Sequence, residues 1–142
     1  MKIYKLTTVT DKVVTAFEKL IPLLAPDVVL PTKEDLEAIV GSGNTLLFIA
    51  EDANEIVGTL TLVVNKIPTG DKIWIEDVVV DTSVRGKGVG IKLMDFSMTY
   101  AKNKRMKSIN LTSSPERVAA NTLYQKLGFV KRETNVYRLM ID

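Results

Sequence analysis

The sequence contains no cysteine and no histidine. Without cysteine, the chain can form no disulfide, no thiolate metal site and no cysteine nucleophile. Without histidine, it lacks the commonest general base and the commonest metal ligand. We therefore expect no metal site, and any acid–base chemistry has to come from Asp, Glu, Tyr, Lys or water.

Long apolar runs and strong net charge are also missing. No run of about 18 apolar residues could form a membrane span, and the first residues, MKIYKLTTVT, lack the apolar core of a signal peptide. The net charge of +2 is a weak basis for a nucleic-acid partner. We expect a cytoplasmic protein with no membrane partner, and the weak charge disfavours a nucleic-acid partner.

What remains is the composition of an ordinary globular domain. The 142 residues are 46% hydrophobic and 25% charged, and this length is enough to bury one real core. We find no internal repeat, low-complexity segment or linker. The sequence therefore predicts a single domain over residues 1–142.

The pattern of apolar residues and turn residues predicts an α+β fold. Helices are expected at 11–24, from Thr32 to about 40, at 88–104, and from Ser113 or Ser114 to Leu127. Strands are expected at 2–7, 45–52, 55–64, 72–81, 107–113, 129–134 and 135–141. Most neighbouring strands are joined by short turns. This order predicts a mostly antiparallel twisted sheet of about six to seven strands flanked by about four helices.

The segment VRGKGVG (84–90) joins a predicted strand to a predicted helix and carries three alternating glycines. Glycines let the backbone approach a ligand closely, and a helix start presents unpaired N–H donors and positive charge. Arg85 and Lys87 add two cations. The predicted ligand is an anion with several oxygens, most simply a diphosphate.

Other interpretations of this glycine segment fit less well. The glycines could simply turn a strand into a helix. A Walker A loop requires Ser or Thr after its lysine, and none follows Lys92. A Rossmann fingerprint needs a different glycine spacing and a parallel sheet, whereas the preceding hairpins favour an antiparallel one.

Two motifs resemble the GNAT superfamily of acyl-CoA-dependent N-acetyltransferases. Arg85, Gly88 and Gly90 occupy the fixed positions of that family's phosphate loop, [QR]-x-x-G-x-[GA]. The segment AANTLYQKLGF (119–129) is similar to the family's second hallmark, A-x-x-x-Y-x-x-x-G-F. Its positions are Ala120, Tyr124, Gly128 and Phe129. The order of elements matches from residue 2 to 141, although residues 10–44 match only in outline.

The resemblance implies a three-layer fold and an N-acetyltransferase that uses acetyl-CoA as its cosubstrate. The acetyl group would pass directly to a primary amine without a covalent enzyme intermediate, which suits a chain lacking Cys and His. Holding the two reactants together can supply much of the rate enhancement. No metal is implied.

The resemblance also implies where coenzyme A lies. Strands 73–81 and 107–113 would splay apart, the main chain of 78–80 would pair with the pantetheine arm, and the 85–90 loop would take the diphosphate. Lys87 would reach a phosphate, and Asn121 would contact the cofactor. The implied cofactor-binding residues are Val78, Val79, Val80, Arg85, Gly86, Lys87, Gly88, Val89, Gly90, Ile91, Asn121 and Tyr124.

Tyr124 and Glu76 are the implied catalytic residues. A phenol is protonated at neutral pH and can donate to a departing thiolate, which makes Tyr124 the candidate acid. Glu76 lies among apolar residues and is the candidate base, directly or through water. Tyr124 could instead pack in a core, and Glu76 could be a solvent-facing charge. Asp77 should face away from Glu76 unless a bulge interrupts the strand.

Two functional alternatives stay open. One is a non-catalytic acyl-CoA-binding or regulatory domain on the same fold. The other is a nucleic-acid accessory protein that uses the cations of AKNKRMK (101–107). The amine acceptor could be a small molecule or a protein amine, and a homodimer is possible.

Overall fold

A computed structural model describes all residues from Met1 to Asp142. The chain forms two compact units, residues 1–111 and residues 112–142. The first unit contains, in chain order, β1 (Lys2–Lys5), α1 (Asp11–Leu24), α2 (Lys33–Gly41), β2 (Thr45–Asp52), β3 (Glu55–Ile67), β4 (Gly70–Val80), a 3₁₀ turn (Thr82–Val84), α3 (Val89–Asn103) and β5 (Ile109–Asn110). The second unit contains α4 (Val118–Lys126). That the whole chain acts as one domain stays a prediction.

The five strands form one sheet in the order β1-β2-β3-β4-β5. The first four pair antiparallel, and β5 runs parallel to β4. Ala53 and Asn54 connect β2 to β3 with φ of 49° and 65°, which is the two-residue hairpin turn whose twist suits flanking strands. The α+β class and the mostly antiparallel sheet are confirmed.

The predicted closing strands at 129–134 and 135–141 are wrong, so the sheet has five strands rather than six or seven. Residues 129–142 contain neither helix nor strand, and the apolar side chains of Val130, Tyr137 and Leu139 are 82–87% exposed. A strand needs a neighbour for its N–H and C=O groups. The second unit offers only a helix, so alternation of apolar residues alone produces no strand there.

Local sequence signals position the first two helices. Thr10 caps α1 by accepting from the N–H of Val13 at 3.4 Å. Thr32 and Asp35 form a reciprocal capping box at the start of α2, with distances of 3.1 and 2.9 Å. Both starts agree with the sequence prediction because side-chain caps act within a few residues.

Helices cover both faces of the sheet. On one face, Val13, Phe17 and Leu20 of α1 join Leu47 and Ile49 of β2 in a buried core. On the other, fully buried Phe48 packs edge-to-face against two rings of α3, with ring centroids at 4.9 Å (Phe96) and 5.5 Å (Tyr100). Residues 47 to 49 thus alternate between two layers of helix, as a period of two requires.

A bulge interrupts β4. Thr59 pairs with Val79 and Thr61 with Glu76, so Leu60 alone faces both Asp77 and Val78. Asp77 takes the left-handed φ of 47°, which non-glycine residues seldom adopt.

The bulge reverses which face the following residues occupy. Ile75 pairs with Leu62, on the face of Phe48, whereas Val79 belongs to the core beneath α1. In a regular strand these two residues would share a face. The bulge therefore accommodates one additional residue while both halves of β4 keep their pairing with β3, and it replaces the simple alternation expected for Glu76 and Asp77.

None of the helices combines the length and the apolar character that crossing a membrane would require.

Candidate active site

The loop after β4 has a backbone that only glycine adopts readily. Gly86 and Gly88 have φ of 85° and 77°, in the left-handed region. A Cβ at either position would meet no atom within 4 Å. These glycines are therefore required by backbone conformation, and the space beside them is open.

Helix α3 begins at the end of this loop without a side-chain cap. Its N-cap is Gly88, and the N–H groups of Val89, Gly90 and Ile91 find no acceptor within the chain. Unpaired donors and the positive end of the helix dipole point out of this turn. Arg85 and Lys87 are exposed beside it. Together these groups form a site suited to an anion with several oxygens.

Gly58, which sequence analysis did not single out, brings α3 close to the sheet. A Cβ on Gly58 would lie 3.2 Å from the main-chain oxygen of Val79, 3.2 Å from Cγ1 of Val89 and 3.3 Å from Cδ1 of Leu93. A glycine in the middle of an apolar strand was the available signal, because such glycines often mark a close approach. Gly58 thereby sets the position of the first turn of α3.

The edge of β4 that faces away from β3 is unpaired in the second half of the strand. Its pairing with β5 ends at Trp74 and Asn110, and the Asn110 amide donates to the Ile73 carbonyl at 3.2 Å. Residues 75–80 therefore have no strand on the side away from β3. The main chain of Val78, Val79 and Val80 is available there to an extended ligand.

Glu76 lies on the same face of the sheet as α1, opposite Thr61. Its side chain is exposed, so the apolar surroundings that sequence analysis expected are not found. Half-buried Trp74 occupies the same face of β4, two residues earlier. The exposure means that water has direct access to this carboxylate.

In the second unit, α4 starts later than predicted. Ser113 and Ser114 do not cap it: a turn links the Arg117 N–H to the Ser114 carbonyl at 3.1 Å, and the helix begins at Val118. The turn delays the helix because it uses the residues that would form the first helical turn. The Asn121 side-chain amide donates to the same Ser114 carbonyl at 3.1 Å, so Asn121 also braces this turn.

Tyr124 takes part in the end of α4. The Phe129 N–H donates to the Tyr124 carbonyl at 3.0 Å, and the Gly128 N–H donates to the Gln125 carbonyl at 3.1 Å. With Gly128 at φ 101°, these bonds form a Schellman motif. The rings of Tyr124 and Phe129 pack edge-to-face, with centroids 6.1 Å apart.

The spacing Y-x-x-x-G-F thus corresponds to the end of a helix. The packing of Phe129 against Tyr124 at this helix end holds the tyrosine ring in place. The tyrosine hydroxyl has no hydrogen-bond partner within the second unit. Asn121 lies one turn before Tyr124, so both residues share one side of α4.

The predicted site residues are divided between the two compact units of the chain. Glu76, residues 78–80 and residues 85–91 belong to the first unit, along β4 and the turn into α3. Asn121 and Tyr124 belong to the second unit. No three Asp and Glu side chains are arranged to hold a metal ion.

Comparison with known proteins identifies the family. The Acetyltransferase (GNAT) family profile matches residues 15–129, which is most of the chain. This protein belongs to the GNAT acetyltransferase family, and the resemblance drawn from the two motifs is confirmed.

Two relatives in sequence carry the name acetyltransferase. The uncharacterized N-acetyltransferase YhdJ of Bacillus subtilis (strain 168) is 32% identical over 98 residues, which are 66% of this chain and 68% of YhdJ. The L-2,4-diaminobutyric acid acetyltransferase of Marinococcus halophilus is 31% identical over 88 residues, which are 62% of this chain and 50% of that protein. The matched segment thus spans between half and about two thirds of these relatives.

A solved structure shares the fold. The aminoglycoside acetyltransferase meta-AAC0020, from an uncultured soil metagenomic sample and in complex with sisomicin, superimposes with a TM-score of 0.83. The alignment covers 99% of this chain and 95% of that one at 22% identity. At this identity the likeness concerns the fold.

Proposed function

We propose that this protein is an acetyl-CoA-dependent N-acetyltransferase that passes the acetyl group directly to a primary amine. The observation that carries the proposal is the turn from β4 into α3, where unpaired N–H groups, two left-handed glycines and two cations converge. The free edge of β4 leads straight into that turn. Membership of the GNAT acetyltransferase family supplies the reaction class.

Coenzyme A fits the chemistry of these two neighbouring features. Its diphosphate carries negative charge and several oxygen acceptors, which match the N–H donors of Gly88 to Ile91 and the side chains of Arg85 and Lys87. Its pantetheine arm carries two amides, which match the unpaired main-chain groups of residues 78–80 as an added strand would. Open space beside Gly86 and Gly88 leaves room for the phosphates.

The transfer needs no enzyme nucleophile because a thioester is already activated. The amine nitrogen attacks the acetyl carbonyl carbon, the new C–N bond forms, and the C–S bond then breaks. One proton leaves the amine and one proton reaches the thiolate, so the reaction requires a base and an acid. Alignment of the two reactants supplies much of the acceleration.

Tyr124 is the proposed acid. Its ring and carbonyl are held by the Schellman motif, whereas its hydroxyl is free of partners within its own unit. A fixed phenol with an unused O–H can donate to a departing thiolate. Asn121, one turn earlier, is the proposed cofactor contact, through whichever amide groups its bond to Ser114 leaves free.

Glu76 is the proposed base, and its exposure favours a route through water. A water molecule held by this carboxylate could accept the amine proton and pass it on. The carboxylate would also attract a cationic amine toward the edge of β4. The proposed acceptor is accordingly a primary amine, a class that the names of the diaminobutyric acid and aminoglycoside acetyltransferases also indicate.

The alternative is a non-catalytic acyl-CoA-binding domain, and turnover separates the two. The purified protein would be given acetyl-CoA and a panel of diamines, amino sugars, amino acids and peptide amines, with release of free thiol as the readout. Amine-dependent thiol release supports the enzyme. Binding of acetyl-CoA without release on any amine would favour the alternative.

Gly90 offers a sharp test of diphosphate binding. It lies in the first turn of α3 without a left-handed φ, and a Cβ there would sit 3.9 Å from Val80 Cγ2, an ordinary contact. Gly90→Glu should therefore fold, and a carboxylate in the first turn of a helix is favourable in itself. The same carboxylate would repel a diphosphate.

The matched control is Gly90→Gln, which has nearly the same shape without the charge. We expect calorimetry to show acetyl-CoA bound by Gly90→Glu at least roughly tenfold more weakly than by Gly90→Gln, a difference of about 1.4 kcal/mol. The difference should shrink at high salt. Equal affinity of the two variants would mean that this turn holds no phosphate.

A further inference from the structure

Asp81, the residue that follows β4, is the only carboxylate in the chain that is buried, at 4% exposure. Both of its oxygens are used. Oδ1 accepts from the Ser83 N–H at 3.0 Å, and Oδ2 lies 2.7 Å from Nζ of Lys19 on α1. A buried charge normally requires such partners.

The main chain of Asp81 is anchored as well. Its N–H donates to the Val57 carbonyl of β3 at 2.8 Å, and its carbonyl accepts from the Val84 N–H at 3.1 Å. Asp81 therefore joins α1, β3 and the 3₁₀ turn at one point. Sequence analysis gave no sign of this junction, because Lys19 and Asp81 are far apart along the chain.

A series of hydrogen bonds connects the glycine turn to this junction. The Lys87 N–H donates to the Val84 carbonyl at 3.2 Å, so hydrogen bonds run in series from Asp81 to Val84 to Lys87. Buried Val84 adds one apolar anchor at 8% exposure. Arg85, Gly86 and Lys87 are exposed, and no side chain bonds to them.

We infer that Lys19 and Asp81 are positioning residues that hold the turn at 85–88 in its anion-binding conformation. This inference rests on the proposed function only for the identity of the anion. The ion pair of Lys19 is with Asp81 and not with the turn, and Lys19 acts by keeping the Asp81 carboxylate charged and oriented.

Electrostatics agree with this assignment. The Lys19 ammonium, and next the Ser83 N–H, hold the pKa of Asp81 below its ordinary value. In the other direction, Asp81 raises the pKa of Lys19. Because the Lys19 side chain is 69% exposed, solvent screens the pair. Its main effect should therefore be on the geometry of the turn rather than on overall stability.

A second ion pair on the same helix provides a matched control. Lys12 is two turns before Lys19 on the same side of α1 and pairs with Glu51 of β2 at 2.8 Å. Both lysines line one pocket of about 530 Å³. The Lys12 pair has no bond to Asp81 or to the turn that follows it.

The experiment compares Lys19→Met with Lys12→Met by amide exchange and by calorimetry. We expect Lys19→Met to speed exchange at the Ser83, Val84 and Lys87 amides at least roughly fivefold, since local opening controls exchange. Its acetyl-CoA Kd should rise roughly tenfold, as expected if the turn is competent about a tenth of the time. Turnover at saturation should stay within about twofold, because Lys19 contacts no reacting atom. Lys12→Met should change none of these values.

Two further variants distinguish loss of the Lys19–Asp81 pair from general destabilisation of the protein. Lys19→Arg should restore both exchange and affinity, because a guanidinium can also bind the carboxylate. In an Asp81→Asn background, Lys19→Met should have little additional effect, since the pair is already broken. Equal effects of Lys19→Met and Lys12→Met on exchange at these amides would overturn the inference.

The exchange measurement does not depend on the ligand. If the wild-type protein fails to bind acetyl-CoA but Lys19→Met still loosens Ser83 and Lys87, the proposed function is wrong and the positioning role stands. If acetyl-CoA binds with wild-type affinity to Lys19→Met and exchange is unchanged, the positioning role is wrong and the proposed function stands.

Discussion

Substituting Gly58 with alanine should destabilise the protein, although glycine-to-alanine changes in strands usually do the opposite. The new methyl carbon would lie 3.2 Å from the Val79 oxygen and from Cγ1 of Val89. Side chains can shift by a few tenths of an ångström, but the Val79 oxygen belongs to the backbone of β4. The strand and α3 would have to separate slightly.

The expected magnitude follows from two opposing terms. Forcing an extra methyl into a packed interface costs about 1–3 kcal/mol, and the reduced freedom of the unfolded chain returns about 0.4–1 kcal/mol. The free energy of unfolding should therefore fall by up to roughly 2.6 kcal/mol, measured from the urea midpoint at unchanged slope. Because Val89 opens α3, affinity for acetyl-CoA should fall along with stability.

Gly41 is the matched control for this change. It lies at the end of α2 without a left-handed φ, and a Cβ there would meet no atom within 4 Å. Gly41→Ala should raise the free energy of unfolding by about 0.5 kcal/mol because alanine is the better helix former. If Gly58→Ala is as stabilising as Gly41→Ala, the close approach of β3 and α3 described above is incorrect.

Two further predictions concern β1 and the β2–β3 turn. Burial, and then the hydrogen bond to Glu51 at 2.9 Å, raise the pKa of Tyr4 to about 12. The contribution of the protonated Tyr4 hydroxyl to stability should be complete below pH 10 and lost as pH rises toward 12. The urea midpoint of Tyr4→Phe should therefore fall less between pH 10 and pH 12 than the midpoint of the wild type. Parallel curves of midpoint against pH for the two proteins would contradict this. Ala53→Gly should raise the free energy of unfolding by about 0.5–1 kcal/mol, because Ala53 has a φ of 49° that glycine adopts without strain, whereas a loss of stability would show that the turn is not the left-handed one described.

Elements defined by local signals were predictable from the sequence. The bounds of α1 were predicted because Thr10 caps it and its apolar residues recur with a helical period. The bounds of β2 were predicted because turns flank an apolar run on both sides. The glycine turn was predictable for the same reason, since left-handed glycines before a helix start are a local signature.

Elements that depend on distant partners were not predictable. Strand β5 was predicted over 107–113 but contains only Ile109 and Asn110. Its length is determined by how many of its residues pair with β4, and that pairing ends at Trp74. The closing strands failed for a similar reason, since their residues have no strand beside them in their unit. The Lys19–Asp81 junction depends on how α1 lies over the sheet, which no local pattern reports.

The candidate site follows the same division. The residues of the turn at 85–91 lie where sequence analysis expected them. For Glu76, the sequence left apolar surroundings and a solvent-facing charge open, and the structure shows an exposed side chain. The hydrogen bond from Asn121 to Ser114 emerged only from the structure. The motif around Tyr124 was recognised by its spacing. The structure adds the physical reason for that spacing, a helix terminus that consumes the carbonyl of Tyr124.

The bulge in β4 adds one residue to the strand without changing which side chains enter the hydrophobic core. If Asp77 were deleted, Val78 alone would face Leu60, and the residues before and after would keep their present partners. Both buried layers would retain their composition, while the strand would lose its bend. The course of the sheet edge next to the site can therefore change through chain length alone, independently of the amino acids that hold the domain together.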